Sequence, residues 1–338
     1  MLKRIIYLGY YLRELDPKKA KLFYKTIKKE TGRSALNITA DIILSSIKYN
    51  ISILEYFQFH FYKLNEEERS NYAGTGFMYE YQLKMNPKAY RSVLENKLEF
   101  LARYNEFIHH SYASLSDIES SGLITEKILC NKSGKVVLKN SYGQCGNGIE
   151  VMSTSLLNQK LLVEKLRKSG NDFVEEFVVQ HSLLMQLSPS GLNTIRIITQ
   201  INKYGKVDLI AARLRISINS SVDNLAAGNI AAPVDLETGI VNGPGVYSDI
   251  TKNSELVHPV TNIPIIGFQI PFWHETIQMI TQAAIVEIGN RSIGWDIAIT
   301  EDGPELIEGN HNWCKLLWQL PAQKGLMPVL KAYLKKEK

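Results

Sequence analysis

The chain is 338 residues long, 45% hydrophobic and 22% charged, with a formal net charge of +5. Such a composition excludes a disordered chain and suits a globular one large enough for two or three layers or lobes. The positive excess is modest, and apart from the tail Lys331…Lys335-Lys336-Glu337-Lys338 no basic run suggests nucleic acid.

That tail reads as a solvated helix end, where basic residues complement the dipole. At the other end, Lys3-Arg4 precedes Ile5-Ile6-Tyr7-Leu8-Gly9-Tyr10-Tyr11-Leu12. This has the outline of a signal peptide, but tyrosines break the apolar run and no small-residue cleavage site follows. Nowhere does the run of roughly 18 apolar residues needed for a membrane span occur. As far as residue 110 the pattern is helical. Asp16-Pro17 supplies an N-cap and a proline at the first helical position for a helix over 18–30. Asn65-Glu66-Glu67-Glu68 is a capping-box start. Asn86-Pro87 opens a long amphipathic segment through Glu106, with Tyr90, Val93, Leu94, Leu98, Leu101 and Tyr104 at helical spacing. The cluster Tyr56, Phe57, Phe59, Phe61 and Tyr62 is expected to form core rather than a sugar-stacking platform, given the area such rings bury. His109, His110 and the later His311 have no evident carboxylate partner and read as core or surface histidines.

After residue 135 strands dominate. Lys135-Val136-Val137-Leu138-Lys139 is a short apolar strand ending in a lysine, and it runs into Asn140-Ser141-Tyr142-Gly143-Gln144-Cys145-Gly146-Asn147-Gly148. Glycines so closely spaced let backbone approach a phosphate and turn N–H groups toward it, and a lysine just before them serves as a point charge. The pattern is neither a P-loop nor a dinucleotide fingerprint. Asp172-Phe173-Val174-Glu175-Glu176-Phe177-Val178-Val179-Gln180 reads as a further strand, and one of its adjacent acids must point inward, where it needs a partner. Turn signals follow at Lys203-Tyr204-Gly205 and Glu237-Thr238-Gly239, and one helix runs from Pro271 to about Gly289. Asp223-Asn224-Leu225-Ala226-Ala227-Gly228-Asn229 is a polar loop that either binds substrate or simply turns. Trp313 and Trp318 are expected to pack.

The most informative stretch is Trp295-Asp296-Ile297-Ala298-Ile299-Thr300-Glu301-Asp302-Gly303-Pro304-Glu305-Leu306-Ile307-Glu308-Gly309-Asn310. It reads as a hairpin turning at Asp302-Gly303. Alternation puts Glu308 and Asn310 on one face, and the hairpin brings Asp296 opposite them. Two carboxylates and an amide oxygen suit Mg²⁺, a hard cation. Cys130, Cys145 and Cys314 show no metal spacing, and their sparse, odd count fits a reducing cytoplasm. No Ser/His/Asp or Cys/His arrangement is apparent.

The order of these parts resembles the ATP-grasp superfamily. It is closest to the sugar-transfer-associated ATP-grasp family of bacterial polysaccharide gene clusters. The closer likeness lies in Leu192-Asn193-Thr194-Ile195-Arg196, Arg213-Leu214-Arg215-Ile216, Val222-Asp223-Asn224, Val234-Asp235-Leu236-Glu237-Thr238-Gly239 and Gly294-Trp295-Asp296. Upstream, Tyr56-Phe57-Gln58-Phe59 and Glu95-Asn96-Lys97 also fit. The resemblance implies an α+β chain with the ATP-grasp fold, in which two α+β lobes hold ATP between antiparallel sheets. The lobes would span 111–180 and 181–338, behind a mainly helical region 1–110. ATP-grasp proteins usually begin with a parallel βαβ domain, which this N-terminal region does not show.

Carried over residue by residue, the resemblance makes Lys139 and Lys97 the nucleotide lysines, and Gly143, Gly146 and Gly148 part of the loop over the phosphates. Glu175 and Glu176, with the backbone at Phe177, would meet adenine. His181 is a candidate for the ribose, where many relatives have an acid. Asp296, Glu308 and Asn310 match magnesium ligands, two ions being implied. Arg196, Arg213 and Arg215 would hold the γ-phosphoryl group and an acceptor carboxylate, since a guanidinium binds either bidentately. The implied activity is an ATP- and Mg²⁺-dependent carboxylate–amine ligase. It would act on small molecules, one sugar-linked (a uronic acid or aminosugar), in cytoplasmic steps of capsule or exopolysaccharide synthesis, in association with polysaccharide-assembly enzymes. The alternatives are a kinase for a hydroxyl acceptor and a non-catalytic ATP sensor or scaffold.

Overall fold

A computed structural model of the chain describes residues 2–143 and 148–335. Helices fill the N-terminal part. The Asp16 side chain accepts the backbone N–H groups of Lys18 and Lys19, both at 3.0 Å, and starts the helix Pro17–Thr31. Gly32, at φ 64°, ends it. This helix and Ala35–Tyr49 bury Phe23, Ile27, Ile38 and Ile42 against Tyr56, Phe57, Phe59 and Phe61. The aromatic cluster is therefore core, as its ring area leads one to expect. Asn65 and Glu68 close the expected capping box.

The amphipathic segment after Asn86 is not one helix. It is divided into a turn Lys88–Tyr90 and short helices Ser92–Glu95 and Lys97–Arg103. The break falls at Asn96, whose extended backbone (φ −107°, ψ 118°) lets its side chain cap the second helix through the N–H of Glu99. The spacing of Leu98, Leu101 and Tyr104 is satisfied all the same, because both pieces pack on the same core.

Two antiparallel sheets follow. β1 (Tyr112–Ser114), β2 (Lys135–Lys139), β3 (Glu150–Ser153) and β4 (Phe173–Glu176) form the first, in the order β1-β4-β2-β3. Its core is Ala113, Val136, Leu138 and Val174, against Ile118, Ile128, Leu162 and Leu166 from three helices. β5 (Ile195–Ile201), β6 (Val207–Ile216), β7 (Ile230–Val234), β8 (Ser292–Thr300) and β9 (Gly303–Asn310) form the second, in the order β7-β6-β5-β8-β9. One face of it, with Ile195, Ile197, Leu214, Trp295 and Ile297, packs on helix Trp273–Ala283 and on the segment around Phe100 and Tyr104. That helix is shorter than the sequence suggests. Phe272, at φ 53°, stands outside it, and turns follow Ala283. On the opposite face, Ile198 and Ala211 lie under Met78, Tyr81, Trp313 and Trp318. Farther along that face stand Arg196, Arg213, Arg215 and Asp296. Among the described residues, no helix is long and apolar enough to cross a membrane.

Candidate active site

The register of the second sheet aligns four functional side chains in a row. Arg213 on β6 pairs with Arg196 on β5, Arg196 with Asp296 on β8, and Asp296 with Glu308 on β9. Paired residues share a face, so the row crosses one face of the sheet, with Arg215 two residues from Arg213 beside it. Arg196 grips Asp296 in a fork, its Nε on Oδ1 and its second nitrogen 2.7 Å from Oδ2. Arg215 donates to the same Oδ2 at 2.7 Å. Burial opposes ionisation of Asp296, but the Arg196 and Arg215 cations outweigh it and hold the carboxyl well below the usual range. Glu308 behaves in the opposite way. Burial and the neighbouring Asp296 charge raise its carboxyl, with Arg196 opposing, and the Asn310 amide donates to its Oε1 at 3.1 Å.

A bulge makes the row possible. Asp296 faces Glu308 while the next residue, Ile297, faces Leu306, leaving Ile307 as the extra residue. Leu306 and Glu308 can therefore turn to opposite faces although they are two apart, Leu306 into the core and Glu308 beside Asp296.

The two lysines come from different elements. Lys139 ends β2 and its ammonium contacts Glu175 on β4. Lys97 begins its helix and donates to the carbonyl of Gly143. Burial lowers the Lys97 amine and nearby Lys139 lowers it further, while Glu308 raises it. The start of the glycine segment is tied down: Ser141 N–H donates to Asp172 at 2.7 Å, and Lys97 N–H donates to the Ser141 carbonyl at 2.9 Å. Gly148, at φ 74°, ends the segment; Gly146 and Cys145 lie outside the described residues, as do Lys336, Glu337 and Lys338. A cavity of about 290 Å³ is lined by Lys97, Gly143, Arg196, Glu308 and Asn310. A larger one, about 540 Å³, runs along Glu176, Phe177 and Val178 to Thr300 and Glu305.

Other expected residues take different positions. The Arg213 guanidinium turns from the acids to the Trp318 carbonyl (2.7 Å) and the Ala212 carbonyl (2.8 Å). It is 6% exposed, and burial pulls it down to about 10. His181 accepts the N–H of Leu183 at 3.1 Å, which makes it the cap of helix Ser182–Leu187, and its other nitrogen lies 3.4 Å from Glu301. Glu175 is the inward acid of its pair and Glu176 the outer one. Trp313 and Trp318 pack edge to face at 5.3 Å.

Three side chains that the sequence singles out find partners it does not reveal. Asp223 pairs with Arg215 at 2.6 Å and accepts the N–H of Thr194 at 2.9 Å, so the polar loop anchors an arginine. His110 lies with Nδ1 2.8 Å from Glu305 and Nε2 3.8 Å from Glu175, both far from it in the sequence. His311 likewise pairs with Glu95 at 3.2 Å. The Glu305 and His110 signals are separated by 195 residues in sequence, and no local pattern joins them.

A family model for sugar-transfer associated ATP-grasp matches residues 77–335. The chain belongs to this family. It therefore has the ATP-grasp fold, with the two antiparallel sheets described above. Among solved structures, this ATP-grasp chain is similar to the ATP-grasp ligase PsnB complexed with minimal precursor, at 13% identity and a TM-score of 0.41, with 74% of this chain and 62% of that one covered. It is also similar to the L-amino acid ligase of Bacillus licheniformis (13% identity, TM-score 0.41, 73% and 49% covered). A third is biotin carboxylase of Campylobacter jejuni (12% identity, TM-score 0.44, 71% and 48% covered). The chain thus spans less than two thirds of each of these. No curated protein matches the sequence.

Proposed function

We propose that this ATP-grasp chain is a carboxylate–amine ligase that uses ATP and Mg²⁺. The observation that carries the reading is the single row of Arg196, Asp296 and Glu308 on one sheet, with Lys97 from the start of its helix near Glu308 and Lys139 of the other sheet near Lys97. Phosphoryl transfer needs little covalent help from a protein; it needs cations around the phosphate oxygens and exclusion of water. Lys139 and Lys97 would hold the nucleotide phosphates, and the backbone at Phe177 the adenine edge. The transferred phosphoryl group makes an acylphosphate of the acceptor carboxylate. An amine then attacks its carbonyl carbon and expels phosphate. Arg213, a buried cation with no carboxylate partner among the described residues, is suited to an incoming anion, the γ-phosphoryl group or an acceptor carboxylate.

The donor set fits a divalent cation. The half-buried Glu308 beside the buried Asp296 makes a pair of carboxylates that repel, and a cation between them relieves it. Asp296 joins with its oxygens already engaged by two arginines, yet a carboxylate has about four lone-pair sites to share. Among the described residues no three His, Cys, Asp or Glu side chains gather as a metal cluster, so Asn310 completes the set. Bound there, Mg²⁺ would supply charge neutralisation on the phosphate oxygens. The family's association with sugar transfer supports a sugar-linked acceptor or amine in surface-polysaccharide synthesis. A cytoplasmic setting agrees with the free, exposed Cys130 and Cys314.

The test is ADP release from Mg-ATP across a panel of uronic-acid and aminosugar nucleotides with amino acids, with Glu308→Gln as control. Release that needs both a carboxylate and an amine, and vanishes in Glu308→Gln, is the expected result. ADP release with phosphate left on a lone hydroxyl acceptor would make the protein a kinase, and full activity in Glu308→Gln would remove the metal assignment.

A further inference from the structure

The Lys139 ammonium that is to hold phosphate is already occupied. It contacts Oε1 of Glu175, a carboxylate only 7% exposed. If Lys139 turns to a nucleotide, Glu175 is left as a buried charge without its cation, a strongly unfavourable state when nothing replaces the partner. The replacement stands beside it. His110 presents Nε2 to the other oxygen of Glu175 at 3.8 Å, beyond hydrogen-bond length, and that nitrogen has no hydrogen-bond partner although it is buried. The ring is oriented from behind. Glu305 takes Nδ1 at 2.8 Å and fixes its own oxygen by accepting the N–H groups of His109 (3.0 Å) and His110 (3.1 Å).

We propose that His110 is a positioning residue that closes onto Glu175 when Lys139 leaves it for the nucleotide phosphates, so that the buried carboxylate exchanges one cation for another. The proposal rests on the phosphate role of Lys139. Less than 1 Å of approach converts the 3.8 Å gap into a charge-assisted hydrogen bond. The charges facing the ring are Glu175 and Glu305, with Glu176, Lys127 and Lys132 on the walls of the adjoining cavity. The two flanking carboxylates keep the imidazole protonated against the effect of burial, which supports the exchange. Nucleotide binding is then made easier by a side chain that acts on Glu175 rather than on the phosphates.

A double-mutant cycle read by calorimetry of ATP binding tests this. His110→Gln should weaken ATP binding by about tenfold or more in the native background, and hardly at all beside Glu175→Gln, where no charge remains to be compensated. Equal losses in both backgrounds, or none in either, overturn the exchange. A structural role alone would give the equal losses. Lys139→Ala separates the premise from the proposal: unchanged affinity there overturns the phosphate role itself, whereas weakened binding with an additive cycle overturns only the part given to His110. Should His110→Gln fail to fold, the native protein labelled with ¹⁵N-histidine carries the test. ATP must shift the Nε2 proton of His110 downfield as the contact shortens, and an unmoved resonance overturns the proposal.

Discussion

Arg213 and Arg215 sit two residues apart on one strand face, and the two cations are held in opposite ways. Arg215 is clamped between Asp296 and Asp223, with Asn224 on the same guanidinium. Burial lowers it, but the two carboxylates outweigh burial and hold it above the ordinary arginine value. Removing it strands the buried Asp223 and leaves Asp296 with Arg196 alone, so Arg215→Met should cost about 3–5 kcal/mol in urea unfolding. Arg213 has only carbonyls for partners. Its loss orphans no acid, and a methionine of similar length fills the space. Arg213→Met should therefore stay within about 1 kcal/mol of the native stability while losing ADP release. A large destabilisation there would mean that the cation is structural.

At the scale of elements, the hairpin carries the site. Its turn, its alternation and the facing of Asp296 with Glu308 could be read from the chain, because hairpins are local and their register follows the turn. The bulge at Ile307 could not be read, since no glycine or proline marks it; it is set by the conflict between a core position for Leu306 and a polar one for Glu308. The long helix expected after Asn86 failed for a related reason, as the spacing of apolar residues survives a break that an asparagine cap repairs. Gly294 shows how tightly the hairpin is seated. A Cβ there would stand 2.5 Å from the Trp313 Cβ and 3.2 Å from the Arg196 stem. Gly294→Ala should thus lower thermal stability, by about 1–3 kcal/mol, and reduce ADP release more than that loss explains by moving Arg196 off Asp296. Native activity in a stable Gly294→Ala protein would show that the strand can yield.

Across the whole molecule, an alternating line of charge joins the two sheets: Lys139 and Glu175 on the first, His110 on the segment leading into β1, and Glu305 on the second. Sequence reasoning saw the first pair as separate parts and missed the rest, because an ion pair formed across 195 residues exists only once the sheets have met. The line sets a pH window. Burial would raise Glu175, but Lys139 and His110 hold it down to about 2, so its contribution is whole above 4.5 and is lost as pH falls toward 2. Burial would lower His110, but Glu175 and Glu305 push it up to about 9, so its contribution is whole below 6.5 and is lost as pH rises through 9. Thermal unfolding followed by calorimetry should show this line contributing most between pH 4.5 and 6.5, with the His110 contribution declining toward pH 9. In His110→Gln the alkaline decline should shrink while the acid limb remains. An alkaline limb unchanged by that substitution would mean that the ring is neutral in the folded protein, and Glu305 would then tie the sheets here through the backbone N–H groups of His109 and His110 rather than through an ion pair.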